Sequence, residues 1–535
     1  MKIIRKYIHI IAIIFLVVIC VGIAWLSGVW DRSARQSAQT LCVPEEPADV
    51  LSPDSAPDTA TPSEAVDKEA ERDIEEEYEA WLAAHQRPDG MLPGKKSAKT
   101  ESGTETAEDE EEELYVPPTV MFASDLHYMS ETTHDDGYAF WQMVENDDGK
   151  ITQYSDQMID ALLEEAVRIR PAALVLCGDL TLNGERENHE KLAEKLAKVQ
   201  EAGVPVVVIP GNHDINKPDA AVYFGRVSEG AKTLESADDF YEIYHAFGYD
   251  QSPNCDPASL SYVYPVDATH WLLMIDSCQY EDGNQVNGRI RPETLAWLRV
   301  HLQVAQENQI QVLPVAHHNL LSESRLYTTD CTIENHDELL ALLEEYQVPL
   351  YISGHLHAQR IKKHKPEPGA ADDAYGITEI VLSPYSIPDN QYGSLYWDQA
   401  GGVMEFTTGQ VDVAAWAVAY GTEDENLLNF RAYSQDYLRS VIRGQVMKKL
   451  YLVPDELKEK MADLYAELYY QYCNGNAMTW SEVRTTSAYR LWERVYPDGE
   501  YTVGIAQMIR DVRTGQHTWS YDERLTLPDH EDEME

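Results

Sequence analysis

The chain has 535 residues, more than one hydrophobic core usually organises, so a central domain with appendages is expected. Hydrophobic residues make up 44% and charged residues 25%, a balance that allows a sizeable buried core. The formal net charge of -50 repels polyanions and disfavours a nucleic-acid polymer as partner, although bound cations reverse such a field locally for a small anionic substrate.

Lys2, Arg5 and Lys6 precede an apolar run from Ile8 to Trp30, about as long as the roughly 20 residues that span a bilayer as a helix. An uncleaved membrane anchor over 1–30 is expected, with a cleaved signal as the alternative. Basic residues on its N-terminal side place that end in the cytoplasm and the remainder of the chain, including the catalytic domain, outside. Residues 31–117 are dominated by Ser, Pro, Ala, Thr, Asp and Glu and close on the acidic run Glu108 to Glu113. Such a stretch buries too little apolar surface to offset chain entropy, so an acidic disordered linker is expected, with a weakly striped helix over 64–85.

Strands and helices then alternate. Val120 to Asp125, Ala173 to Asp179 and Val204 to Asn212 read as apolar strands, separated by helical patterns over Gln157 to Arg170 and Arg186 to Glu201. The pattern continues through His270 to Ser277, a helix from Pro292 to Asn308, and the strands Ile310 to His318 and Val348 to His355. Apolar strands joined by amphipathic helices imply an α/β unit with parallel strands covered on both faces. Strand-like pieces near Ile380, Leu395, Met404 and Val411 have shorter connections and suggest antiparallel pairing. After Glu423 the pattern is helical, with Leu457, Met461, Leu464 and Leu468 at three-to-four spacing. The expected division is therefore 1–30, 31–117, a central domain over 118–420 and a helical extension over 421–535. Seven cysteines without a CxxC pair form no disulfide framework and no thiolate zinc site, and Cys177 reads as a buried small hydrophobe.

Five segments place metal-binding side chains where an apolar strand ends, the position where open α/β sheets build their sites. They are Ser-Asp-Leu-His (Asp125, His127), Gly-Asp (Asp179), Gly-Asn-His-Asp (Asn212, His213, Asp214), Ala-His-His (His317, His318) and Gly-His-Leu-His (His355, His357). Singly each is a weak signal; their order, each behind its own strand, is not.

The series resembles the calcineurin-like metallophosphoesterases, over Val120 to about Trp416. The resemblance implies a four-layer α/β/β/α sandwich, continued here by the helical C-terminal extension, with a dinuclear metal site at one edge of the sheets. Carried over residue by residue, it implies one metal on Asp125, His127 and His357, a second on Asn212, His317 and His355, and Asp179 bridging both. It further implies that His213 stabilises or protonates the leaving group, oriented by Asp214. The fourth segment departs from the family's His-Pro pattern, leaving His317 or His318 as the ligand; His317, first after the strand, is preferred. Carboxylate, imidazole and amide donors suit two divalent or trivalent ions such as manganese, iron or zinc, and not calcium. Such a pair can hold a shared hydroxide as nucleophile and neutralise phosphate oxygens.

The expected function is hydrolysis of a small phosphoester. The segment Ser383 to Gly393 resembles bacterial class III cyclic nucleotide phosphodiesterase-like members, which favours a diester such as a cyclic nucleotide. A phosphomonoesterase of nucleotidase or acid phosphatase type is the alternative, and a non-catalytic binding module on a stalk the third reading. Arg289, Arg291 and Arg360 are the basic residues that folding could bring to the motifs.

Overall fold

A computed structural model describes residues 116–522, apart from 322–325, 327–328, 365–375, 399–400, 452 and 512–516. The expected membrane anchor, the acidic linker and its helix over 64–85 lie outside the described residues. Among the described residues, no helix is long and apolar enough to cross a membrane.

The strands in chain order are β1 (Thr119–Ala123), β2 (Ala173–Cys177), β3 (Val206–Ile209), β4 (Ala221–Phe224), β5 (Val227–Gly230), β6 (Tyr262–Asp267) and β7 (His270–Ile275). They continue with β8 (Gln311–Ala316), β9 (Leu350–Ser353), β10 (Arg360–Lys363), β11 (Thr378–Val381), β12 (Gln391–Asp398), β13 (Val403–Gln410) and β14 (Thr518–Asp522). One six-stranded sheet has the order β14-β13-β12-β1-β2-β3, a second β10-β11-β9-β8-β7-β6, and β4 and β5 form a separate hairpin. In the first sheet β1, β2 and β3 run parallel, joined by the helices Ser155–Ile169 and Arg186–Glu201. In the second, β7, β8 and β9 are parallel, with helix Pro292–Glu307 between the first two and helix His336–Glu345 between the last two. Proline opens Pro292–Glu307 at its first helical position, where its fixed φ fits and its missing N–H costs nothing.

Side-chain alternation explains the layers. Along β7, Leu272 and Met274 join the core shared with the first sheet, while Trp271, Leu273 and Ile275 pack with Leu298, Leu302, Leu339 and Leu343 of the two outer helices. Leu313 and Val315 on β8, and Leu350 and Ile352 on β9, face the shared core in the same way. Each such buried aliphatic side chain contributes about 1.5–3 kcal/mol. The result is the expected α/β/β/α sandwich.

Two expectations need correction. The strand near Ile380, β11, pairs parallel with β9 and antiparallel only with β10, and Val411 lies just beyond β13 instead of starting a strand of its own. The extension is not helical throughout: β14 pairs antiparallel with β13 and finishes the first sheet. Between them, the helices Phe430–Lys449, Asp455–Cys473, Ser487–Val495 and Glu500–Asp511 bury a third core around Leu438, Leu468, Trp492 and Met508. That core includes Leu356 and Ala358, so the helices pack on the segment that carries His355 and His357. The amide of Gln359 and the hydroxyl of Ser383 both donate to the carbonyl of Cys473, at 3.0 and 3.1 Å.

Candidate metal centre

All five motif segments leave the C-terminal ends of β1, β2, β3, β8 and β9, and the two sheets bring those ends to one edge. Five of the seven expected ligands sit in left-handed backbone: Asp125 (φ 53°), His127 (44°), Asp179 (47°), His355 (66°) and His357 (54°). Non-glycine residues rarely adopt this region, and such strain concentrates at functional sites. The neighbouring glycines are there for space. A Cβ on Gly178, itself at φ +86°, would stand 2.5 Å from the His317 ring, and one on Gly354 would stand 1.8 Å from Ser124 Oγ.

Asp125, His127, Asp179 and His357 form one group whose donor atoms all lie within 4.8 Å of one another. His127 Nε2 is 3.1 Å from His357 Nε2 and 3.7 Å from Asp179 Oδ2, and His357 Nε2 is 3.5 Å from Asp125 Oδ1. His317, His318 and His355 form a second group. There His317 Nε2 is 3.1 Å from Asn212 Oδ1, 3.4 Å from Asp179 Oδ1 and 3.2 Å from His355 Nδ1. Asp179 thus reaches both groups, one oxygen to each.

Hydrogen bonding distinguishes the two adjacent histidines. His318 uses Nδ1 with the Ser277 hydroxyl at 2.8 Å and Nε2 with the Val286 carbonyl at 2.9 Å, so both its nitrogens are engaged. His317 donates from Nδ1 to the Cys177 carbonyl at 2.9 Å, and His355 from Nε2 to the Asp330 carbonyl at 2.8 Å. Their remaining nitrogens face each other. Two imidazole lone pairs at that separation need a proton or a cation between them, whereas among the described residues His127 Nδ1 has no hydrogen-bond partner to fix its tautomer.

Electrostatics agree with the donor set. Burial disfavours a charge on His317, but Asp179 and Asp125 outweigh it and lift the imidazole to about 9. Against the same burial, Asp125 and Asp148 lift His357 to about 9. His355 is pushed down to about 4 by burial and by His317. The pocket draws positive charge, and the residues present fit a pair of borderline metal cations.

His213 stands beside this cluster, its ring edge-on to His127 with centroids 4.9 Å apart. Its backbone amide donates to Asp179 Oδ1 at 2.8 Å, and its Nδ1 meets the Leu182 carbonyl at 2.8 Å and Asn183 Oδ1 at 3.1 Å. Burial pushes its pKa down to about 3. Asp214 does not orient it, contrary to the expectation from the resemblance. The Asp214 carboxylate accepts from the amides of Gly211, Leu180 and Thr181 at 2.8, 3.1 and 3.0 Å, tying the β3 turn to the β2 turn. Burial, with Asp179 nearby, raises that carboxyl to about 7.

The three arginines are engaged elsewhere: Arg289 with Glu334 at 3.1 Å, Arg291 with Glu281 at 3.0 Å, and Arg360 with the Leu321 carbonyl at 3.3 Å. Two residues absent from the sequence reading stand next to the motifs instead. Asp148 Oδ2 lies 3.5 Å from His357 Nδ1, and its other oxygen takes the Lys150 ammonium at 2.7 Å. Asn-Asp-Asp-Gly-Lys reads as an ordinary turn, so nothing local signals that it reaches a ligand histidine.

Residues 118–359 match the family model described as calcineurin-like phosphoesterase. Residues 412–513 match that of the C-terminal domain of cyclic nucleotide phosphodiesterase. No curated protein matches the chain. Among solved structures, a dimetal phosphatase from Danio rerio is similar at 14% identity, covering 55% of this chain and 96% of that one, with a TM-score of 0.39. A purple acid phosphatase from yellow lupin seeds is similar at 14% identity, covering 55% of this chain and 51% of the other, with a TM-score of 0.37.

Proposed function

We propose that this chain, which belongs to the calcineurin-like phosphoesterase family and is a phosphoester hydrolase, acts on a small phosphodiester, with a cyclic nucleotide as the first class to test. The observation that carries the reading is the match of residues 412–513 to the C-terminal domain of cyclic nucleotide phosphodiesterase. The packing of those helices on Leu356 and Ala358, either side of His357, is consistent with a part in the site. The net charge of -50 favours a small substrate over a polymer.

Asp125, His127 and His357 would hold one metal, Asn212, His317 and His355 the other, with Asp179 shared between them. When bound, such a pair polarises phosphoryl oxygens and acidifies an attacking water. His213, anchored through Nδ1 by Leu182 and Asn183, keeps Nε2 for the substrate side. A phosphoryl oxyanion placed there favours the imidazolium, which then gives its proton to the leaving oxygen. Asp214 supports this indirectly, by fixing the turn from which His213 projects.

The test is the ratio of catalytic efficiencies on bis(p-nitrophenyl) phosphate and p-nitrophenyl phosphate, which share a leaving group. The diester is expected to be the better substrate. A monoester advantage of roughly ten-fold, about 1.4 kcal/mol in the barrier, overturns the choice in favour of a phosphomonoesterase.

A further inference from the structure

Lys217 is 9% exposed, and among the described residues no hydrogen bond or ion pair reaches its ammonium. An ammonium that has lost much of its water gains from a partner, so mostly buried lysines are normally paired; the Lys217 Nζ itself keeps some contact with solvent. Lys150, buried nearby, obeys that rule through Asp148 and Asp147. Lys217 does not, although the surrounding loop is firmly built. The Asn284 side chain donates to the carbonyls of Asn212 and Ile215 at 2.6 and 2.9 Å. The Asn216 amide donates to the Leu234 carbonyl at 2.7 Å, and its side chain to the Tyr280 carbonyl at 2.8 Å. The backbone before Lys217 is therefore fixed to the same turn that carries Asn212 and His213.

The charges that act on Lys217 are Asp179, Asp219 and Asp214 on one side and Lys150 on the other. Lys217 in turn acts on His213. Asp179 is the carboxylate that two metals would share, so metal binding leaves less negative charge for the ammonium and increases its need for an anion. The site's own substrate supplies one.

We propose that Lys217 is a substrate-binding residue whose ammonium holds a non-bridging phosphoryl oxygen beside His213. The inference rests on the phosphoester hydrolase reading of this site and adds to it the contact that recognises the phosphate group. It gives the site the basic residue that none of the three arginines provides. A lysine fits the task because a single compact charge serves any phosphate geometry, whereas the guanidinium fork demands a bidentate one.

The experiment compares the full-length wild type with Lys217→Met and Lys217→Arg, reading steady-state kinetics, inhibition by inorganic phosphate and metal content. Lys217→Met is expected to keep both metals, raise KM and the phosphate inhibition constant by about ten-fold each, and leave kcat less affected. Lys217→Arg is expected to recover part of the phosphate affinity, which separates a lost charge from a packing defect. A phosphate inhibition constant within two-fold of wild type in the methionine variant overturns the proposal, as does loss of metal from both variants. Absence of phosphoester hydrolysis by the metal-loaded wild type is a distinct result, and it removes the underlying reading instead.

Discussion

Asp179→Ala is expected to reduce turnover by roughly 1,000-fold or more, about 4 kcal/mol in the barrier, with loss of bound metal. The reason is its double engagement. One carboxylate oxygen lies 3.4 Å from His317 Nε2 and the other 3.7 Å from His127 Nε2, so a single side chain serves both ligand groups. Oδ1 also accepts the His213 amide at 2.8 Å, which places the proposed acid relative to both ligand groups. Removing the carboxylate would therefore disturb both ligand groups and one imidazole together. Steady-state kinetics and elemental analysis on the same folded sample check this. Near-wild-type turnover with two retained metals would sink the bridging assignment.

His213→Ala is expected to behave differently, keeping the metals and slowing turnover by roughly 100-fold or more, the usual range for a general acid. No expected ligand is lost, since His213 touches the cluster through its backbone amide and an edge-on ring contact. The diagnostic is the leaving group. A poor leaving alcohol needs the proton and should show the full loss, mainly in kcat, whereas p-nitrophenolate leaves readily and should show a smaller one. An equal loss on both would mean that His213 positions the substrate and does not donate a proton.

The parts legible in the sequence are those that depend on short range. Apolar runs ending in Asp, Asn or His mark both the strand and its end, so β1, β2, β3, β8 and β9 and the candidate ligands gathered there could be read directly. Spacing suggested His317 over His318, but the contacts that engage both His318 nitrogens, Ser277 and Val286, come from 41 and 32 positions away in the chain. The resemblance implied that Asp214 orients His213, a contact the structure does not make. Neighbouring side chains at a tight turn diverge, and the carboxylate went to three backbone amides instead. The strand β14 was hidden because it is short and completes a sheet more than 100 residues after β13 ends. Asp148 carries no motif, and only the packing of a distant segment brings it to His357, while Lys217 follows the Gly-Asn-His-Asp turn by three residues but belongs to no recognisable pattern.

The central claim is that two metal ions in this cluster carry the hydrolysis. Its most direct test is titration of chelator-stripped, full-length protein with manganese, following phosphodiesterase activity and bound metal together. Activity is expected to be absent after stripping and to return as the second equivalent binds. Full hydrolysis by the metal-free protein, or full recovery at one equivalent, would contradict it.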